Sequence, residues 1–561
     1  MKTLAENIVN SYIKIPEQTA ITLLKNQNPE QLISYHQLIL GAYAYAKALE
    51  KANIHPDEVV ILILNHGENL IYSFFGAILH GAIPSIMPFL TEKLEPAHYR
   101  QSLQSLFEIT RPSAIITYPE FIEEVRIASS NTSSIRAIFS TLDIQPSDPV
   151  NIENLLGLKR NAHDIVLLQH SSGTTGLQKG VALSHQAVIN QIKSYSKALR
   201  LNSSQYGKDI IVSWLPLYHD MGLIAGFIMP ILTQTPLILM SPFDWVRAPF
   251  KLMQTISKYR GTLSWLPNFA YNFCAQKVRA RDLENVDLSS WRAVINCSEP
   301  MVWQSHQMFL ERFKPYGFRA EALATSYAMA ENVFAVTQGG IDYPIVIDSL
   351  DRQSLLFGKI ATPSKNHDNA VMMVSAGKPI ENTNVKVVDK KGNELPERHI
   401  GEIAIQSNCM LSSYYNRPDL TQKSFIDGWY LTGDLGYIAK GEIYITGRKK
   451  DLIIVGGKNI YPQDLERIAG EVPTVHPGRV VAFGVFNEEI GTEEVVIIAE
   501  VDTQDEEEKI RVGDEIRQRV TRSSDIALRY VHLVERNWLI KTSSGKIARS
   551  ANREKFLAQC Q

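Results

Sequence analysis

The chain has 561 residues, 45% hydrophobic and 21% charged, with a formal net charge of -2 and a pI near 6.7. It is too long for one ordinary domain, long enough to bury large cores, and has the composition of a soluble globular protein. The near-neutral balance gives no electrostatic argument for nucleic acid or an anionic membrane surface, and Cys274, Cys297, Cys409 and Cys560 form neither a CxxC pair nor a disulfide framework.

The N-terminal stretch Met1-Lys2-Thr3-Leu4-Ala5-Glu6-Asn7 meets acidic and amide side chains too early for a signal-peptide apolar region, so a cytoplasmic location is expected. Helical spacing over Tyr35–Lys51 is followed by Val59-Val60-Ile61-Leu62-Ile63-Leu64, a β-branched run suited to a buried parallel strand. Asn69–His80 is helical again, and a strand around Ala82–Met87 is expected to be interrupted by Pro84. Such alternation predicts an α/β architecture with helices on both sheet faces.

Next comes Ile165-Val166-Leu167-Leu168, a short buried strand, and then Gln169-His170-Ser171-Ser172-Gly173-Thr174-Thr175-Gly176-Leu177-Gln178-Lys179-Gly180. Glycines let the backbone approach a ligand closely, hydroxyls and free N–H groups are donors for phosphate oxygens, and Lys179 adds a mobile charge. On composition alone a solvated Ser/Gly loop is the commoner outcome. Placement after a buried strand and before the helix-like run Ser184–Leu199 favours phosphate binding at a helix N-terminus. The glycine spacing does not match a P-loop.

Strands are expected at Asp209–Trp214, Leu237–Met240 and Thr262–Trp265, with helices at Met221–Met229 and Phe250–Lys258. The uncharged stretch from Leu223 to Phe243 is divided by Pro230 and Pro236, which favours a buried helix and strand over a membrane span. Near residue 400 the pattern changes to a small half-exposed sheet, including Ile400–Ile405 and Glu442–Thr446. After Arg448 a compact α+β unit begins, with strands Leu452–Val455, Arg479–Val485 and Glu494–Glu500 and helices around Pro462–Ile468 and Glu506–Val520.

Ser171–Gly180, together with Gly433-Asp434, Gly447-Arg448 and Thr542-Ser543-Ser544-Gly545-Lys546, resembles the adenylate-forming superfamily of acyl-CoA synthetases, peptide-synthetase adenylation domains and luciferases. Trp214–Leu223, Pro267-Asn268-Phe269-Ala270-Tyr271, Asp287–Trp291 and Tyr461-Pro462-Gln463-Asp464 are similar to the fatty acyl-AMP ligase branch, as is an extra stretch at about residues 341–371. The resemblance implies a large N-terminal adenylation domain over residues 1–447, made of layered sheets covered by helices with a small β subdomain. A small mobile α+β domain over 448–561 would follow, with its hinge near Lys450.

The implied reaction is ATP-dependent activation of a fatty acid to acyl-adenylate and pyrophosphate, then transfer to the phosphopantetheine thiol of an acyl carrier protein. The alternatives are CoA as acceptor, or a relative that binds nucleotide or acyl chains without catalysis. A peptide-synthetase adenylation domain would need an acidic partner for an amino group; Asp220 is the one substitute nearby. ATP and Mg²⁺ are the implied cofactors; no nucleic-acid partner and no membrane span are expected.

By resemblance, Lys546 bridges the carboxylate and the α-phosphate, Glu331 holds Mg²⁺, and His219 stands where the acyl carboxylate enters. Ser171, Ser172, Gly173, Thr174, Thr175, Gly176 and Lys179 would clamp the β- and γ-phosphates. Tyr327 and Ser326 would meet adenine, with Asn296, Ser298, Glu299 and Pro300 along its edge. Asp434 would accept the ribose hydroxyls, and Arg448 would contact ribose or phosphate. Trp214, Met221, Phe269, Tyr271 and Phe273 would line the acyl tunnel, although all five are equally ordinary core residues. Five positions depart from the usual pattern: Cys297-Ser298 in place of Gly-Ala, Ala328 for glycine, Ala376 for cysteine and Ile540 for proline.

Overall fold

A computed structural model describes residues 2–25, 29–89, 96–130, 132–145, 150–171, 179–357, 359–364, 370–455, 458–487, 492–524, 528–542 and 545–559. Two seven-stranded sheets carry the larger part. One runs Leu323–Thr325, Ala293–Asn296, Leu263–Leu266, Ile211–Ser213, Leu237–Leu239, Thr19–Leu23, Gln31–Ser34 and is parallel except at its last pair. Its strands from Leu323–Thr325 to Leu237–Leu239 are buried along their whole length, with Ser213, Ser264, Asn296 and Thr325 among the polar residues they carry, as expected of a parallel sheet covered on both faces.

The other sheet runs Ser413–Tyr414, Lys179–Ser184, Ile165–Ser171, Ile83–Ile86, Val59–Ile63, Ala114–Thr117, Ala137–Ser140. It is parallel from Ile165–Ser171 outward and antiparallel at the Ser413 edge. Pro84 does not interrupt its strand; it pairs in register with Val60. Ile83 and Met87 donate to Glu58 and Leu62, so strand alternation turns the missing N–H of Pro84 towards the opposite neighbour. The helices Tyr35–Lys51 and Glu68–His80 pack so closely that a Cβ on Gly76 would lie 2.5 Å from the Cβ of Tyr45.

The apolar stretch after Asp220 is a π-helical segment, Met221–Ile228, where Met229 N–H bonds back to Ile224 O. It runs into a short α-helix, Met229–Leu232, and the strand Leu237–Leu239. Among the described residues no helix is long and apolar enough to cross a membrane.

Strands Thr383–Val388, Gly401–Ser407, Trp429–Ala439, Phe425–Ile426 and Glu442–Arg448 form the smaller sheet. It is more buried than its alternation predicts. The extra stretch covers one face: Ile347–Asp351 pairs with Ala370–Val374, and Leu350, Leu355 and Ala361 pack on Tyr437, Ala439 and Tyr444. Asp348 accepts hydrogen bonds from Arg398 at 3.0 Å and Tyr437 at 2.8 Å, and the helix Arg352–Phe357 lies against the strand Lys458–Ile460.

From Ile453 onward the residues build apolar clusters of their own. Val475–Asn487 and Thr492–Val501 pair antiparallel and Tyr530–Val534 adds in parallel, with helices Pro462–Gly470, Glu506–Ser524 and Arg549–Gln559.

Candidate active site

The strands β1 (Ile165–Ser171) and β2 (Lys179–Ser184) pair antiparallel, with Ser171 opposite Lys179. The helix His185–Ala198 begins only after β2, its first turn capped by Ser184. The expected phosphate loop therefore joins two paired strands, and the following helix begins only at His185. The reason is that Gly180–Leu183 is itself apolar enough to form a strand and to take the edge strand β3 (Ser413–Tyr414) on its other side. Ser172, Gly173, Thr174, Thr175 and Gly176 lie outside the described residues. The ammonium of Lys179 sits 5.0 Å from the ring centroid of Tyr414.

Glu331 stands on a single tight turn, Ala330–Asn332, rather than on a helix. Its Oε1 accepts from the Tyr414 hydroxyl at 2.8 Å, and that hydroxyl is also 2.8 Å from the hydroxyl of Tyr430. Neither tyrosine is singled out by the sequence. Tyr414 lies on a strand of two residues, too short for any periodicity, within Ser413-Tyr414-Tyr415-Asn416-Arg417-Pro418.

Asp434 and Arg448 are brought together by register: β4 (Trp429–Ala439) and β5 (Glu442–Arg448) place them opposite each other, with Arg448 Nε 3.3 Å from Asp434 Oδ1. Gly433, at φ 74°, sits where β4 shifts register against Gly401–Ser407, and Asp434 N–H donates to Thr432 Oγ1 at 3.0 Å. Tyr327 donates its hydroxyl to Asp434 Oδ2 at 2.6 Å; burial and then the Asp434 charge push this phenol well above its ordinary range. The carboxylate is thus aimed by a phenol and a guanidinium.

Two of the expected adenine contacts turn side-chain donors to partners within the protein. Asn296 is fully buried, and its amide donates to Asn268 Oδ1 at 3.0 Å and meets His306 Nε2 at 3.0 Å. Ser326 is 1% exposed and donates to Thr337 O at 2.8 Å. A buried polar side chain needs partners inside the protein; the Asn296 amide nitrogen and the Ser326 hydroxyl find theirs there, while Asn296 Oδ1 is buried without a hydrogen-bond partner among the described residues. The neighbouring Ser298 and Glu299 are partly exposed and Pro300 is exposed. Glu299 accepts from Phe269 N–H at 2.9 Å, which holds the first turn of the helix Asn268–Lys277.

Lys546 reaches this group from the far end of the chain, its Nζ donating to Ser298 O at 2.6 Å. Ser298 presents that carbonyl from a left-handed conformation, φ 71°. Burial draws the lysine's pKa below the ordinary range, against the pull of Glu299 and Asp220. Arg549 braces the segment, pairing with Asp451 at 2.7 Å and Glu466 at 2.8 Å. His219 Nδ1 is 3.1 Å from Asp220 Oδ1, which also accepts from Met221 N–H at 2.8 Å. Burial pushes the Asp220 carboxyl up, but His219 and Lys546 together hold it below its usual value. An anionic Asp220 engaged in this way makes His219 an oriented ring beside a cation. Lys450 lies just past β5, on an exposed turn.

The expected tunnel residues divide. Trp214 stacks on Trp245 at 3.5 Å, Phe269 meets both edge-on, and Phe273 lies 5.4 Å from Trp245. Met221 approaches Ser298, its sulfur 3.9 Å from Oγ. Tyr271 does not join them: its ring packs on His306 and Phe309, and its hydroxyl donates to Val294 O at 2.9 Å. About 100° per residue sends Phe269 and Phe273 to one face of their helix and Tyr271 to the other. Trp245, which lies 31 positions beyond Trp214 and under no motif, is the ring that joins Trp214, Phe269 and Phe273 in one cluster.

Comparison with known proteins places this geometry. The family model described as AMP-binding enzyme matches residues 14–415. The medium-chain fatty acid–acyl carrier protein ligase JamA of Moorena producens is 32% identical over 96% of this chain and 92% of its own. A structure from a study of fatty acyl-adenylate ligases from E. coli and L. pneumophila aligns at TM-score 0.90 and 27% identity, covering 100% of this chain and 99% of that one. The L. pneumophila fatty acyl-adenylate ligase solved with acyl adenylate and pyrophosphate aligns at TM-score 0.73 and 28% identity, over 99% and 96%. The chain belongs to the AMP-binding enzyme family, in its fatty acyl-AMP ligase branch.

Proposed function

We propose that the protein activates a fatty acid with ATP, forming acyl-adenylate and pyrophosphate, and then passes the acyl group to the phosphopantetheine thiol of an acyl carrier protein. The observation that carries this reading is Lys546, seated at Ser298 beside the Asp434–Arg448–Tyr327 group although it is 248 residues distant in sequence from Ser298. A mobile ammonium there suits the junction of two anions, the carboxylate and the α-phosphate.

In the first step a carboxylate oxygen bonds to the α-phosphorus while the bond to the β-phosphate oxygen breaks, and pyrophosphate leaves with that electron pair. A fatty acid is ionised at neutral pH, so no base is needed; His219, fixed by Asp220, positions the carboxylate. Asp434 takes the ribose hydroxyls, Tyr327 supports both Asp434 and the base, and Lys179 faces the leaving phosphates. The paired indoles of Trp214 and Trp245, with Phe269 and Phe273, receive the alkyl chain. In the second step the thiol sulfur attacks the acyl carbonyl, AMP leaves with its electron pair, and the thiol proton is released.

Mg²⁺ fits Glu331. Among the described residues no cluster of three or more His, Cys, Asp or Glu side chains could cage a metal, while one carboxylate plus the nucleotide's own phosphates suits this ion. Bound there it would offset phosphate charge. We further assign residues 1–447 to the adenylating domain and 448–561 to a domain that swings about Lys450 between the steps.

Fatty-acid-dependent ATP–pyrophosphate exchange tests the reading. Lys546→Ala is expected to lower exchange at least 100-fold with the melting profile retained. Wild type without exchange at any chain length would favour a relative that only binds. Supplying holo-carrier protein or CoA with ATP and Mg²⁺ separates the acceptors; efficient acyl-CoA formation would sink the carrier-protein reading in favour of a CoA ligase.

A further inference from the structure

Tyr414 touches both charged groups that face the polyphosphate. Its ring carries the Lys179 ammonium at 5.0 Å, and its hydroxyl is 2.8 Å from Glu331 Oε1. The direction of the phenol chain follows from chemistry: an ionised carboxylate only accepts, so Tyr414 donates to Glu331 and its own oxygen accepts from Tyr430, 2.8 Å away. Tyr430 lies on β4, the strand that also bears Asp434.

The backbone here is braced as firmly as the side chain. Tyr414 pairs with Val181 on β2, two residues from Lys179, and Tyr415 N–H donates to Gly180 O at 2.7 Å. On the other side Leu411 N–H donates to Glu331 O at 2.8 Å. The Leu411–Tyr415 segment therefore spans from the lysine's strand to the glutamate's turn. Tyr414 is 3% exposed, so neither contact is a casual surface one.

We propose that Tyr414 is a positioning residue for the polyphosphate of ATP, aiming Glu331 with its hydroxyl and Lys179 with its ring. The proposal rests on the function proposed above. Its two halves separate chemically. Glu331 acts on a divalent cation, so the hydroxyl matters only to metal-bound ATP; Lys179 acts on phosphate directly, so the ring matters to ATP with or without metal.

Calorimetric titration of the full-length chain with ATP, once with Mg²⁺ and once with EDTA, tests this. Thermal melts of each variant accompany it. Tyr414→Phe keeps the ring and is expected to weaken Mg²⁺-ATP about 10-fold, as for one hydrogen bond to a charged group, while metal-free ATP changes less than about 2-fold. Tyr414→Leu is expected to weaken both. Tyr430→Phe, which removes only the donor behind Tyr414, is expected to lower Mg²⁺-ATP affinity less than Tyr414→Phe. Wild-type affinity in Tyr414→Phe, or equal losses with and without metal, would overturn the proposal. Exchange assays of the wild type separate this failure from that of the function. Exchange present with Tyr414→Phe unchanged overturns the positioning role alone; no exchange in the wild type overturns the function and this inference with it.

Discussion

Lys546 has to be a cation where a cation is hardest to keep. Burial, helped by the Arg448 charge, favours its neutral form, while Glu299 and Asp220 pull the other way. The sign follows: the ammonium is fully present below the lowered pKa and is lost as pH rises through it. The alkaline limb of exchange activity is therefore expected at a lower pH than an exposed lysine would give. Lys546→Arg stays charged throughout and is expected to move that limb upward while lowering the rate, because a planar guanidinium bridges two anions differently. Identical limbs in both proteins would assign the titration to another group. At this scale a motif drew attention to Asp434, Arg448 and Lys546, and the structure pairs the first two and seats the third at Ser298. A residue's role was not legible where the same residue type could face either way. Asn296 ends a strand, and nothing in Ala293-Val294-Ile295-Asn296 says that Asn268 and His306 wait beneath it.

Elements were legible when long and periodic. Tyr35–Lys51 begins and ends where its apolar spacing does, and the Val59 strand differs by one residue. What escaped were elements defined by their neighbours. β2 follows the glycine-rich loop so closely that it merges with the next helix in sequence, and β3 has two residues. Both exist because each completes a sheet edge for the other, a non-local gain that no window of sequence contains. The Lys546 segment shows the same dependence. A turn with Lys546 O accepting from Thr542 N–H at 2.7 Å shapes it, but Arg549 fixes it to the body through Asp451 and Glu466. Arg549→Met would leave two carboxylates partly buried and unpaired, a loss on the order of 3–5 kcal/mol for such pairs. The expected result is a lower melting temperature for the C-terminal unit and at least a 10-fold slower exchange. Unchanged exchange would show that the Thr542 turn suffices.

At the scale of the molecule, the extra stretch near 341–371 was visible as surplus sequence, but not as a cover for the smaller sheet. Deleting all of it would uncover Tyr437, Ala439 and Tyr444 and leave Arg398 without Asp348. A cleaner probe replaces only Arg352–Phe357 with a short Gly-Ser linker and keeps the Ile347–Asp351 and Ala370–Val374 pair. If this helix limits the acceptor, acyl-CoA formation is expected to rise several-fold, with a lower melting temperature from the loss of Leu355 from the buried cluster; no rise would remove it from acceptor choice. Among the described residues, contacts between the C-terminal unit and the rest include three regions: the chain crossing, where Gln463 donates to Thr446 O at 2.5 Å and Lys449 to Glu402 at 2.8 Å, the Lys546–Ser298 contact, and the helix Arg352–Phe357 against Lys458–Ile460. In kinematic terms, three attachments out of line leave a rigid body no freedom, and releasing one returns a single rotation about the line through the other two. Which contact parts first then selects the axis: losing the Lys546 contact leaves a line through the crossing and the helix, and losing the helix leaves one through the crossing and the lysine.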